Sequence, residues 1–322
     1  MPKVLILGAT GYLGRQVANQ FIQTGQHTVY GIARTETKAR FLASQEIRPV
    51  ICADPVNDPE PYLSIIRSKN IDLVVDVTNA GPGSYKILQQ LSIVGQERLE
   101  SYKKRGTRGP KLGFIYCSGT WVHGSSSEAI NDLDLVGPDT KAPPVELVAW
   151  RVDLESAVLN AHDVIYVMIL RPGMIYGREG PLWSPFFMPV LTAAKNDSKE
   201  PVELPLDSNT KAGHIHVDDA ARAFVNAAEN LAMVSGSGVY PVFDLVTSHE
   251  SMRDIFNALV VTCRFQGKVI LKGHGGDLFT EAMRTSFRGS SARAKQVLGW
   301  KPMRLEGYAN DMDVFVAAMQ AK

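Results

Sequence analysis

Seven residues near the start of the chain, Gly8-Ala9-Thr10-Gly11-Tyr12-Leu13-Gly14, have the types and spacing that bring a backbone against a phosphate. Glycine at the first, fourth and seventh places permits a tight turn and leaves no side chain between backbone and ligand. A helix starting there would turn its unpaired N–H groups toward the negative charge of a pyrophosphate. Twenty residues beyond Gly14 stands Arg34. A site that selects a free ribose 2′-hydroxyl places an acid at this distance, whereas a guanidinium suits a 2′-phosphate. Thr35 adds a hydroxyl and Lys38 a second cation, against one acid, Glu36. The turn and Arg34 together point to a dinucleotide, NADP(H) in preference to NAD(H).

Other clusters carry less chemistry. His214 and His216 have the spacing of a ligand pair at a strand end, but no third ligand group follows, so no metal is expected. Lys103-Lys104-Arg105, Arg108 and Lys111 form the one basic run, which suits the solvated end of a helix. Across 322 residues, 34 Lys+Arg stand against 33 Asp+Glu, which leaves no electrostatic case for nucleic acid or an anionic membrane. Cys52, Cys117 and Cys263 form no C-x-x-C pair, so neither a disulfide framework nor a thiolate metal site is expected. The longest apolar run, near Val164–Leu170, is too short to span a bilayer. These features predict a soluble, cytoplasmic protein with a small-molecule substrate and no nucleic-acid or membrane partner.

The elements that must position these residues follow from periodicity. Val4–Leu7, His27–Ala33, Val50–Cys52, Leu73–Val77, Gly113–Cys117 and Val164–Leu170 read as strands. Between them lie amphipathic stretches such as Leu13, Val17 and Phe21, spaced four apart. The alternation predicts an α/β fold, a doubly wound parallel sheet covered on both faces. After Arg171 the pattern changes. Arg178–Lys211 is rich in proline and aromatic residues with little periodicity, and His214–Leu231 gives a helix signal. Val239–Val246 reads as a strand, and stripes at Met252–Val260 and Met312–Met319 as helices. We expect a dinucleotide-binding domain over residues 1–177 plus about 213–245. A smaller C-terminal substrate lobe would take about 178–212 and 246–322.

The glycine pattern, Arg171-Pro172-Gly173-Met174-Ile175-Tyr176-Gly177, His216-Val217-Asp218-Asp219-Ala220 and Leu298-Gly299-Trp300-Lys301-Pro302 occur in one order. In these marks the chain resembles the extended short-chain dehydrogenase/reductase superfamily, in its NAD-dependent epimerase/dehydratase-like branch. The resemblance implies a Rossmann-type sheet. It makes Asp54 the acid near the adenine, and Thr78-Asn79 the turn beneath the cofactor. Pro172 falls in the segment at the nicotinamide end. Cys117-Ser118-Gly119-Thr120-Trp121-Val122-His123-Gly124 resembles the strand end that carries the family's Ser/Thr, so Ser118 or Thr120 would orient a substrate carbonyl.

One departure matters. The family uses a tyrosine as general acid/base and a lysine four residues later. Aligning its K-x-x-x-E onto Arg151-Val152-Asp153-Leu154-Glu155 puts Leu147 where the tyrosine belongs. Trp150-Arg151-x-x-x-Glu155 resembles an atypical subgroup that lacks the pair. Arg151 would hold ribose hydroxyls and stabilise a negative oxygen, but a guanidinium is a poor proton donor. It could also pair with Glu155, four residues on. The relocated proton donor is expected first at His123, ahead of Tyr176 and the pair Tyr85-Lys86. Trp121, Trp183, Phe186 and Phe187 would line a substrate pocket, the core between lobes or a homodimer surface. The loop Ser125–Pro144 holds four acids and no arginine, which does not suit a phosphorylated substrate.

The expected function is therefore an NADP(H)-dependent oxidoreductase of atypical mechanism acting on a small or medium carbonyl or alcohol compound. The alternatives are an epimerase or dehydratase with a bound nicotinamide cofactor, and a non-catalytic NADP-sensing regulator.

Overall fold

The computed structural model describes residues 1–273 and 275–321. Strands β1 (Lys3–Leu7), β2 (Thr28–Ala33), β3 (Arg48–Ile51), β4 (Leu73–Asp76) and β5 (Leu112–Cys117) are joined by Ile165–Pro172 and Val242–Leu245. All seven pair in parallel, in the order Val242–Leu245, Ile165–Pro172, β5, β4, β1, β2, β3. Val4 and Ile6 point into one core and Leu5 and Leu7 into the other, which is why the strands are apolar throughout. Helices α1 (Tyr12–Gln23), α2 (Glu36–Ser44) and Val217–Gly236 close the first face. Helices α3 (Glu60–Lys69), α4 (Ser84–Lys104) and α5 (Trp150–Asn160) close the second. Strand order reverses beside β1, so the ends of β1, β4 and β5 open a crevice where such sheets bind ligands.

A third core lies beyond the sheet. Met174–Tyr176, Lys211–His216 and Ser248–Ser251 form a small sheet, packed with helices Ser184–Lys195, Met252–Cys263 and Met312–Gln320. Its centre is aromatic: Tyr308 stacks on Tyr176 at 4.8 Å and on Phe187 at 5.3 Å, and meets Trp183 edge-on at 5.0 Å. Two boundaries differ from the sequence reading. The helix expected from His214 begins at Val217, because Lys211–His216 pairs as a strand on both sides and His216 caps the helix, its Nδ1 accepting from the Asp218 N–H. A helix also occupies Ser184–Lys195, where prolines hid the period. Pro185 falls in its first turn, where a missing N–H costs nothing. No helix among the described residues is long and apolar enough to cross a membrane.

Candidate functional site

The glycine turn joins β1 to α1, and its three glycines have three different environments. Gly8 has φ +88°, and a Cβ there would lie 2.9 Å from the Val77 carbonyl oxygen. A Cβ on Gly14 would lie 2.0 Å from the Gly8 carbonyl oxygen. On Gly11 a Cβ would meet only that same oxygen, at 3.2 Å, so this face of the turn is open to a ligand. Gly11 is the N-cap of α1 and offers no side chain to the first N–H groups, nor does the first turn carry an acid. Thr10 is half-buried in the turn, and Leu13 is buried in the core beneath. The Tyr12 hydroxyl donates to the Gly177 carbonyl at 2.6 Å, and burial raises its pKa. Arg15 and Glu179 form an ion pair that ties the same two segments.

Arg34 follows β2 and is exposed, as is Asp54 after β3. Asp54 accepts from Asn57 Nδ2 and from the N–H groups of Asn57 and Val56. These bonds, those of Asn57 foremost, hold its carboxyl below the usual range, and the charge of Arg34 adds to them. The Thr35 hydroxyl, expected to help Arg34, caps α2 by accepting from the Lys38 N–H.

A cleft of about 610 Å³ opens past the ends of β4 and β5. Thr78, Asn79, Ser118, Thr120, Arg151 and Pro172 all line it, with Tyr12 at one edge. Beneath Thr78, Asp76 accepts from the Thr78 N–H at 2.9 Å and its hydroxyl at 2.6 Å. Burial outweighs these bonds and raises the Asp76 carboxyl to about 6. Burial also pushes the Cys117 thiol, on the same floor, up to about 12. Ser118 Oγ and Arg151 Nε are buried without a partner. The Arg151 guanidinium lies across Gly119, where a Cβ would be 2.8 Å from Nη1, and packs over the Trp150 ring at 5.4 Å. The remaining wall is apolar: Trp121, Leu147, Met174, Leu182 and Phe279.

One expectation is corrected, and one alternative fails. His123 does not reach the cleft. It is 1% exposed, with Nε2 3.1 Å from Asp244 Oδ2 and 3.3 Å from Arg171 Nη1. Glu155 does not pair with Arg151. It is turned inward, 2% exposed, and accepts from Arg171 Nε at 3.1 Å and Nη2 at 2.5 Å. Burial opposes the Arg171 charge, but Glu155 outweighs it and raises the guanidinium further. Trp183 and Phe187 are core residues of the second lobe, as is Tyr176. Tyr85 and Lys86 open α4, bound to the Trp150 carbonyl and Asn57. Sequence reasoning missed Phe279, which no local pattern marks. It also missed Asp76, whose signal was an acid closing the apolar run Leu73-Val74-Val75.

The retained elements fit a dinucleotide: a turn open only at Gly11, an uncapped helix start, and unpartnered polar atoms at Ser118 and Arg151. Among solved structures, dTDP-glucose 4,6-dehydratase from Bacillus anthracis in complex with NAD is similar, with TM-score 0.69 and 14% identity over 99% of this chain and 96% of that one. UDP-glucuronic acid 4-epimerase from Bacillus cereus in complex with UDP-glucuronic acid and NAD has TM-score 0.66 and 18% identity over 98% of both chains. At such identities the likeness shows the fold. The photosystem II assembly factor Ycf39 from Synechocystis sp. is 34% identical over 97 residues, which cover 30% of this chain and 28% of that protein. Residues 4–242 match the NAD dependent epimerase/dehydratase family, and the chain belongs to that family.

Proposed function

We propose that the chain binds a nicotinamide dinucleotide, NADP(H) in preference to NAD(H), and interconverts a small or medium carbonyl or alcohol compound in the cleft. Gly8, Thr10, Gly11 and the start of α1 would hold the pyrophosphate, and Arg34 the 2′-phosphate. Asp54 would meet the adenosine end, Thr78, Asn79 and Pro172 the nicotinamide half, and Arg151 its ribose. The dinucleotide, when bound, supplies hydride chemistry. Ser118 or Thr120 donates a hydrogen bond to the substrate oxygen, and the Arg151 guanidinium stabilises negative charge there. The single observation that carries this reading is that Thr78, Asn79, Ser118, Thr120 and Arg151 line one cleft beyond the strand ends.

The proton comes from water. Among the described cleft-lining residues the ionisable groups are Tyr12, Cys117 and Arg151. Burial makes the first two weak acids, and a guanidinium stays protonated. That inventory weighs against elimination, which must remove a proton from carbon. A second reading, a dinucleotide-sensing protein without catalysis, is favoured by Leu147 on the cleft wall and by the partial likeness to an assembly factor.

Calorimetric titration with NADP⁺ and NAD⁺, followed by assay of NADPH consumption over a carbonyl panel, separates these readings. Tighter NADP⁺ binding with turnover is the expected result. Binding without turnover leaves the sensor, and tighter NAD⁺ binding overturns the assignment of Arg34.

A further inference from the structure

The cleft ends at a partition. The short helix Leu278–Ala282 packs against the turn Glu146–Val148. Successive residues of each face opposite ways: Phe279 and Leu147 line the cleft, while Leu278 and Glu146 line a second cavity of about 500 Å³. The helix is held at its start by Asp277, which accepts from the N–H groups of Phe279 and Thr280 and from the Thr280 hydroxyl. Phe279 is the aromatic centre of the wall. It stacks on Phe186 at 6.0 Å, with an interplanar angle of 12°, and meets Trp121 edge-on at 6.4 Å.

We infer that the cleft admits an aromatic carbonyl compound in place of a nucleotide sugar, and that Phe279 is the residue that sets this choice. The inference rests on the reading of the cleft as a substrate site. Three observations carry it. Trp121 and Phe279 both line the cleft and are only partly buried, so a flat apolar ring can complete their cluster while its carbonyl reaches Ser118 or Thr120. The cleft's volume must also take the nicotinamide end of the cofactor, which leaves space for a small or bicyclic molecule. Finally, a diphosphate tail meets little complementary charge. Arg151 is the one cation among the described cleft-lining residues, and past the partition, among the described residues, Glu146 and Asp207 face Arg284.

The test is calorimetric titration of the NADP⁺-saturated chain with 2-acetonaphthone and, separately, with UDP-glucose. The ketone binds and UDP-glucose does not. Phe279→Ala weakens the ketone about tenfold, and Phe279→Leu recovers part of the loss. NADP⁺ affinity stays unchanged in both, which also reports that they fold. UDP-glucose binding more tightly than the ketone overturns the inference, as does a Phe279→Ala chain that binds the ketone like the parent. A chain that binds the ketone but never consumes NADPH keeps this specificity while removing the proposed turnover, so the two can fail separately.

Discussion

The two ends of the cleft are built from different material. At the glycine turn the shape comes from backbone: Gly8 and Gly14 sit where a Cβ would strike main-chain oxygen, and α1 starts without a side-chain cap. At the aromatic end it comes from side chains, Leu147, Arg151, Trp121 and Phe279, each on a different element. A backbone site is fixed by the turn and the sheet order, so the fold and the site persist together. A single side chain on the cleft wall, such as Leu147, can change without disturbing a strand. In this way one fold can host different chemistries.

The contrast can be strained where the two ends meet. Arg171 and Glu155 form a buried pair joining α5 to the strand Ile165–Pro172. Glu155→Ala leaves Arg171 buried with His123 Nε2 at 3.3 Å and Asp244 Oδ1, its remaining carboxylate, at 3.6 Å, and a loss of about 3–5 kcal/mol is expected in chemical denaturation. At the dinucleotide end, Gly14→Ala forces Cβ into the Gly8 carbonyl. It should cost about 3 kcal/mol and abolish NADP⁺ binding, whereas unchanged binding would place the cofactor away from this turn.

The floor between the ends gives a pH test. Asp76 has a folded pKa of about 6 against an ordinary 3.8, so the folded state holds its proton more tightly. Its contribution is present below pH 3.8 and is lost as pH rises through 6. Asp76→Asn keeps an acceptor for Thr78 and removes the buried charge. Thermal melting should show the variant more stable by about 2–3 kcal/mol at pH 8, with the gain vanishing toward pH 4. A gain that does not depend on pH would assign the effect to packing. The smallest effect lies at the exposed rim, where Arg34→Ala should weaken NADP⁺ about tenfold and leave NAD⁺ unchanged.

What the sequence disclosed follows the same division. The glycine turn, the parallel strands and Ser118, Thr120 and Arg151 on one cleft were legible because each depends on neighbours close in the chain or on strand ends that the sheet aligns. The alternative of an Arg151–Glu155 surface pair, suggested by their spacing, fails because the Glu155 side chain faces Arg171, across the helix–strand packing. His123 was misread for a related reason. The strand-end loop turns it under the sheet toward Asp244, a partner from the far edge strand that local pattern cannot reveal. Phe279 and Trp121 meet only in the folded chain, so the aromatic wall left no trace in the spacing of either segment.

The most direct test of the central claim is a crystal structure with NADP⁺ bound. Pyrophosphate is expected on the Gly11 face of the turn, and nicotinamide beside Ser118, Leu147 and Arg151. No histidine, tyrosine or carboxylate should touch its reactive carbon. A nicotinamide outside this cleft, or one in contact with such a group, would contradict it.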